Sequence, residues 1–188
     1  QGLRAFDRFG NYYYSDAPMF FRNVIINRSY AGEAEIILNK NANSPLNRNI
    51  IADANQTINN ATLLSFDIKT MKGELIFDEL NGIGFEVGDQ YLVPERVYLI
   101  DDGGFVLSSA VPDNSGKLNF NSFLLSSGYV LPKDSTRTFL IKIDDKLAED
   151  DNSKIYRVLV DSTGVVATKY DGQKLENDKK SGSAVSNN

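Results

Sequence analysis

The sequence predicts an all-β fold, an antiparallel β-sandwich, from three observations. Apolar and polar residues alternate over residues 61–70, so that Leu64, Phe66 and Ile68 share one face, and the same period recurs at 136–144. Turn signals separate such stretches, as in "DDGG" at 101–104. No long window carries helical periodicity. Uneven loop lengths favour a sandwich over an up-and-down barrel.

The predicted strands start at residue 33 and continue to residue 170. Residues 81–89 carry three glycines, so we expect a bulge or a loop there. Residues 145–154 are acidic and predict an exposed connection. The other predicted elements are strands at 33–39, 61–70 and 72–80, a hairpin at 95–111, a turn at 114–116 followed by a strand through Leu118 and Phe120, a turn at 132–135 followed by a strand at 136–144, and a strand, break and strand over 154–170.

The 188 residues are enough for one large sandwich with a core of its own. We expect the sandwich to span residues 31–172. An extended segment precedes it at 1–30, and residues 173–188 are predicted to form a polar tail or linker, because they are rich in Lys, Asn and Ser.

The N-terminal segment differs from the rest of the chain because aromatic residues crowd it. One interpretation is an additional edge strand that packs on the protein's own core. Another is a contact with a neighbouring subunit or module, since contiguous exposed apolar residues usually mark an interface. A disordered tag is the third. The candidate interface residues are Phe9, Tyr12, Tyr13, Tyr14, Phe20, Phe21, Val24, Ile25 and Ile26.

The two ends of the chain share a short similarity. "GLRAFDRFG" at 2–10 matches "GVVATKYDG" at 164–172 at both terminal glycines and at the alanine, three identities in nine residues. Because Gly and Ala are common, chance is one explanation. A repeat is the other, and it would imply a head-to-tail arrangement in tandem modules or in a polymer.

Composition excludes several classes of function. The chain has no His and no Cys, which removes the commonest general base, thiol nucleophiles, disulfides and most transition-metal sites. The formal charge of −5 and the absence of a basic stripe argue against nucleic acid as a partner. No stretch approaches the roughly 20 apolar residues of a membrane span. A domain of this size can be stable without disulfides, so an extracellular location remains open.

Acidic residues offer the remaining candidate chemistry. The run "DDKLAEDDNS" could wrap a calcium ion, the one candidate cofactor, through Asp144, Asp145, Asp150 and Asp151, although it lacks EF-hand spacing and a solvated loop is the competing interpretation. A pair of carboxylates could also serve a glycosidase, but the presence of such a pair does not indicate this activity, because 25 acidic residues make some pair inevitable. Three sequons provide candidate glycosylation sites at Asn27, Asn55 and Asn60.

Five stretches together resemble the Ig-like modules of bacterial surface-layer and giant cell-surface proteins, especially those of ultrasmall uncultivated bacteria. The resemblance covers roughly residues 33–172, and the aromatic start falls outside the usual pattern. The resemblance implies an antiparallel Ig-like β-sandwich with an architectural role at the cell surface, and it transfers no active-site residue. The stretches are "NSPLNRNIIADANQTINNATLLSFDIKT", "VYLIDDGGFVLSSAV", "GKLNFNSF", "LPKDSTRTFLIKID" and "YRVLVDSTGVVATKYDG".

We therefore expect a non-enzymatic extracellular structural protein, a building block of a surface layer, a filament or a tandem-module array. Its expected partners are copies of itself or neighbouring modules. Three alternatives remain open: an adhesin domain, a carbohydrate-binding module of a larger surface protein, and a virion structural protein. The absence of Trp argues against sugar stacking.

Overall fold

The computed structural model describes residues 4–6, 12–14, 33–46, 57–88, 91, 93–124, 128–146 and 155–186. Two 3-10 turns, Ser162–Gly164 and Asn177–Lys179, accompany fourteen strands in this part of the chain. The strands are β1 (Arg4–Phe6), β2 (Tyr12–Tyr14), β3 (Glu35–Lys40), β4 (Thr57–Met71), β5 (Leu75–Phe85), β6 (Arg96–Asp101), β7 (Val106–Ala110), β8 (Lys117–Phe120), β9 (Tyr129–Leu131), β10 (Thr136–Lys146), β11 (Val158–Asp161), β12 (Val165–Lys169), β13 (Lys180–Ser181) and β14 (Ser183–Val185).

Two sheets form a sandwich-like all-β fold, and the predicted fold class is confirmed at that level. Sheet 1 has the order β13-β3-β4-β10-β6-β7. Sheet 2 is built on β5, which pairs with β11 and β12 along one edge and with β8 and β9 along the other, and β14 extends it beyond β11. All these pairings are antiparallel except the parallel pairing of β13 with β3.

The core lies between the two sheets because the inward positions of each strand are apolar. In β10, Phe139, Ile141 and Ile143 are fully buried while the residues between them are partly exposed. Four rings meet at the centre: Phe139 contacts Phe66 from sheet 1 and Phe77 and Tyr129 from sheet 2, with ring centroids 5.3 to 5.7 Å apart. The period-two pattern of the sequence therefore corresponds to the face of each strand that is buried.

Aspartate side chains stabilise two of the predicted turns through hydrogen bonds to backbone amides. Asp101 accepts a hydrogen bond from the Phe105 amide, and Gly104 has a φ of 83°, which closes the hairpin between β6 and β7. Asp113 accepts from the Ser115 hydroxyl and from the amides of Ser115 and Lys117, and these hydrogen bonds lower the pKa of the Asp113 carboxyl. These side chains stabilise local backbone structure.

The described part of the glycine-rich stretch, residues 81–88, is mostly strand. β5 continues through Phe85, and a register shift between Leu80 and Ile83 marks the bulge that the sequence predicted. Gly82 lies in this bulge with a φ of 66°. Its amide donates to the Asn119 side chain, so the neighbouring strand β8 holds the irregular backbone in place.

The predicted polar tail at 173–188 differs from the structure, because described residues of this stretch complete both sheets. β13 pairs with β3 in sheet 1, and two residues later β14 pairs with β11 in sheet 2. Leu175 and Ala184 are buried, and Lys179 forms an ion pair with Glu33 that raises the pKa of the lysine and lowers that of the carboxyl. The sandwich therefore extends to Ser186.

The chain enters and leaves the sandwich at opposite ends. Glu35, at the start of β3, pairs with Met71 beside the turn that leads into β5; we call this the lower end. The Ser186 amide donates to the Val158 carbonyl, and Val158 pairs with Phe85 at the other end of β5, which we call the upper end. The eleven residues of β5 separate the two ends by about 30 Å.

Candidate functional site

The N-terminal segment contains two strands that pair with each other and with neither sheet of the sandwich. β1 and β2 pair antiparallel, with Arg4 opposite Tyr14, Ala5 opposite Tyr13 and Phe6 opposite Tyr12. They form a two-stranded sheet of their own. We call these two strands, residues 4–6 and 12–14, the N-terminal hairpin. Three predicted interface residues, Tyr12 to Tyr14, form β2; Phe9, Phe20, Phe21, Val24, Ile25 and Ile26 lie outside the described residues.

The upper end of β10 carries two of the predicted calcium ligands. Asp144 accepts hydrogen bonds from the Tyr98 hydroxyl at 2.6 Å and from the Asn60 amide at 2.7 Å. The bond to Asp144 raises the pKa of Tyr98. Asp145 is buried and accepts from the Tyr156 hydroxyl. Because consecutive strand residues point to opposite faces, the structure does not bring the two carboxylates together.

The calcium hypothesis can now be tested in a narrower form. Asp150 and Asp151 lie outside the described residues, and the described part of the chain has no group of three acidic residues placed to hold a metal ion. If either strand aspartate joins Asp150 and Asp151 around calcium, the melting temperature should rise in millimolar calcium relative to chelator, because binding favours the native state. Equal melting temperatures in a calcium titration would contradict it.

Other partly buried carboxylates link strands to one another. Asp67 accepts from the Thr138 hydroxyl and from the Asn41 amide group, across sheet 1. Asp78 accepts from the Thr168 hydroxyl, across sheet 2. The sequence predicted none of these contacts, because the partners are between 26 and 90 residues apart.

One of the three candidate glycosylation sites can be placed. Asn60 is exposed on β4 and has a φ of 55°, at a register shift between β4 and β10. Its position on the surface is compatible with a glycan. Asn27 and Asn55 lie outside the described residues.

A shallow apolar depression lies on the outer face of sheet 2 at the upper end, and sequence reasoning missed it. Its volume is about 330 Å³. Gly84, Leu159 and Val185 occupy neighbouring positions in one row across β5, β11 and β14, and the ion pair between Arg157 and Glu86 adjoins them. The only sequence signal was Gly84, a glycine within a strand.

Comparison with known proteins found no match, so function is inferred from the fold and from the surfaces described above. No protein-family model matches the chain, and no curated protein or solved structure is significantly similar to it. Within the described residues, no helix has the length and apolar character needed to cross a membrane.

Proposed function

We propose that this protein is a non-enzymatic building block of an extracellular surface assembly, an Ig-like sandwich that uses its N-terminal segment to bind a neighbouring unit. The observation that carries the proposal is the N-terminal hairpin. Both sheets of the sandwich are formed by strands from residues 35–185, and the hairpin belongs to neither sheet.

A two-stranded hairpin needs a partner surface. Isolated two-stranded sheets are marginally stable in water, and a third strand or a packed face is needed to hold them. The hairpin contains aromatic residues in β1 and β2, including three consecutive tyrosines. Open strand edges accept further strands through main-chain hydrogen bonds. These properties support a role for the hairpin as a connector.

The positions of the lower and upper ends support a head-to-tail arrangement. The N-terminal segment joins the sandwich at the lower end, and the chain leaves at the upper end, about 30 Å away. A connector at one end of a unit that binds a different surface of the next gives a heterologous contact, which builds filaments, rings or tandem arrays.

Charge supports attraction between the N-terminal segment and a neighbouring sandwich. Residues 1–30 contain four arginines and two aspartates, a formal charge of +2. Since the whole chain carries −5, the other 158 residues carry −7. Opposite charges on the two surfaces speed association and favour the correct partner, and the effect weakens as salt rises.

Deletion of residues 1–27 tests the proposal. We expect the shortened protein to fold, because the residues described from position 33 onward form a buried core of their own between Ala34 and Ala184, and to be monomeric, because the connector is missing. Thermal melting measures folding, and sedimentation velocity over a range of concentrations measures assembly.

A full-length variant with Tyr12, Tyr13 and Tyr14 replaced by serine is the matched control. It keeps chain length and charge, so loss of assembly would identify the apolar contact. If the deletion unfolds the protein, the segment belongs to its own core. If the shortened protein assembles as the full chain does, the segment is not the connector. Either result would overturn the proposal.

A further inference from the structure

The strand pairing of the N-terminal hairpin repeats that of a second hairpin in the same chain. After β12 the chain turns and runs back along it: Thr168 forms a bridge with Lys174, and the Leu175 amide donates to the Ala167 carbonyl at 2.8 Å. We call residues 166–176 the closing hairpin. An offset of 162 residues places Phe6 and Tyr12, which pair in the N-terminal hairpin, on Thr168 and Lys174. The two hairpins therefore share one register and one connection length.

The residues shared by the two stretches occupy positions that are constrained in or beside the closing hairpin. A Cβ at Gly164 would come within 1.9 Å of the Asn81 carbonyl oxygen, so only glycine fits beside β5. Gly172 has a φ of 84° in the turn, a conformation that favours glycine. Ala167, in β12, is 1 % exposed and belongs to the core between the sheets. The sequence repeats these three residues at Gly2, Gly10 and Ala5.

Apolar positions agree as well. Val165 and Leu175 are the other buried residues of this stretch, and the sequence has Leu3 and Tyr13 at the corresponding positions. Asp16 repeats Asp178. The correspondence ends before Gly182. A Cβ at that position would come 2.0 Å from the Leu38 carbonyl oxygen, so the site requires glycine, whereas the residue 162 positions earlier is Phe20. Agreement at these constrained positions over residues 2–16 favours a repeat over a chance match.

We propose that the N-terminal hairpin is a second closing hairpin and that its partner is the strand equivalent to β5 in a preceding module of this fold that has no closing hairpin of its own, because β12 already fills this edge of β5 in the present sandwich. On this sandwich, β12 pairs with β5 from Leu75 to Leu80. The N-terminal hairpin would take the same place on the preceding unit of an array, with the tight approach at Gly2. This inference rests on the proposed function only in assigning that second sandwich to a neighbouring unit.

A sequence exchange within the full chain tests the fit. In the in-register variant, residues 2–16 replace residues 164–178, and residues 179–188 are kept. We expect a cooperative thermal transition about 5 to 10 °C below that of the wild type, because Tyr13 overpacks the site of Leu175. The same variant with leucine retained at position 175 should recover most of this loss.

The matched control shifts the inserted sequence by one residue, so that residues 3–17 replace 164–178. It places Leu3 at the site of Gly164 and Arg4 at the fully buried site of Val165, and we expect no cooperative transition. If the in-register variant with leucine at 175 melts no better than the shifted one, the N-terminal hairpin does not fit a β5 edge and the inference is wrong. This result is independent of sedimentation, so it is distinguishable from failure of the proposed function.

Discussion

Replacing Phe139 with alanine should lower the free energy of unfolding by about 3 to 5 kcal/mol, the usual cost of removing a buried phenylalanine ring. Phe139 is fully buried and lies where the two sheets meet. Its ring contacts Phe66, Phe77 and Tyr129, so the substitution leaves a cavity between strands that cannot close without moving a sheet. Equilibrium unfolding in urea measures the loss.

Phe105 provides the control for this substitution. It lies between β6 and β7 and is 48 % exposed, so alanine there should cost less than about 1 kcal/mol. A similar loss at both positions would mean that the effect does not depend on burial in the core. A loss below about 1 kcal/mol at Phe139 would contradict the central position assigned to this ring.

Gly182→Ala should destabilise the protein by about 3 kcal/mol or more, because two constraints act on the same residue. Gly182 has a φ of 90°, and its added Cβ would lie 2.0 Å from the Leu38 carbonyl oxygen. Its own carbonyl accepts the Ser162 amide at 3.1 Å. Relief of the clash would separate β13 or β14 from its sheet, and urea unfolding should show the loss in full.

Gly84→Ala is the matched control, since it changes the same residue type within a strand. No atom lies within 4 Å of a Cβ at Gly84, and its φ is outside the left-handed region. We therefore expect a change within about 1 kcal/mol, in the stabilising direction because alanine restricts the unfolded chain. Equal destabilisation by the two substitutions would show that the crossing between the sheets is not tightly constrained.

Strands and turns of the sandwich could be predicted from the sequence because their determinants are local. Alternation over 61–70 and 136–144 identified the buried faces of β4 and β10, and "DDGG" identified the hairpin between β6 and β7. Side-chain period and turn conformation depend on neighbouring residues, so these signals can be read without knowing the tertiary structure.

The candidate sites could be predicted only in part, because they depend on residues far apart in the sequence. Asp144 and Asp145 are adjacent in the chain, yet their strand directs them to different partners, Tyr98 and Tyr156. The depression beside Leu159 needs β5, β11 and β14 in one row. The similarity between 2–10 and 164–172 was visible in the sequence, but its shared pairing register was not.

By itself, the sequence determined an all-β chain with a core of its own, no histidine or cysteine chemistry, and an aromatic segment distinct in composition from the sandwich. Only the tertiary structure decided the role of residues 174–186. Their polar composition predicts a tail, yet the stretch crosses from sheet 1 to sheet 2, because a few small or apolar residues, Leu175, Gly182 and Ala184, meet sites that distant strands provide. Composition averages over a segment, whereas burial depends on the partner that each residue meets.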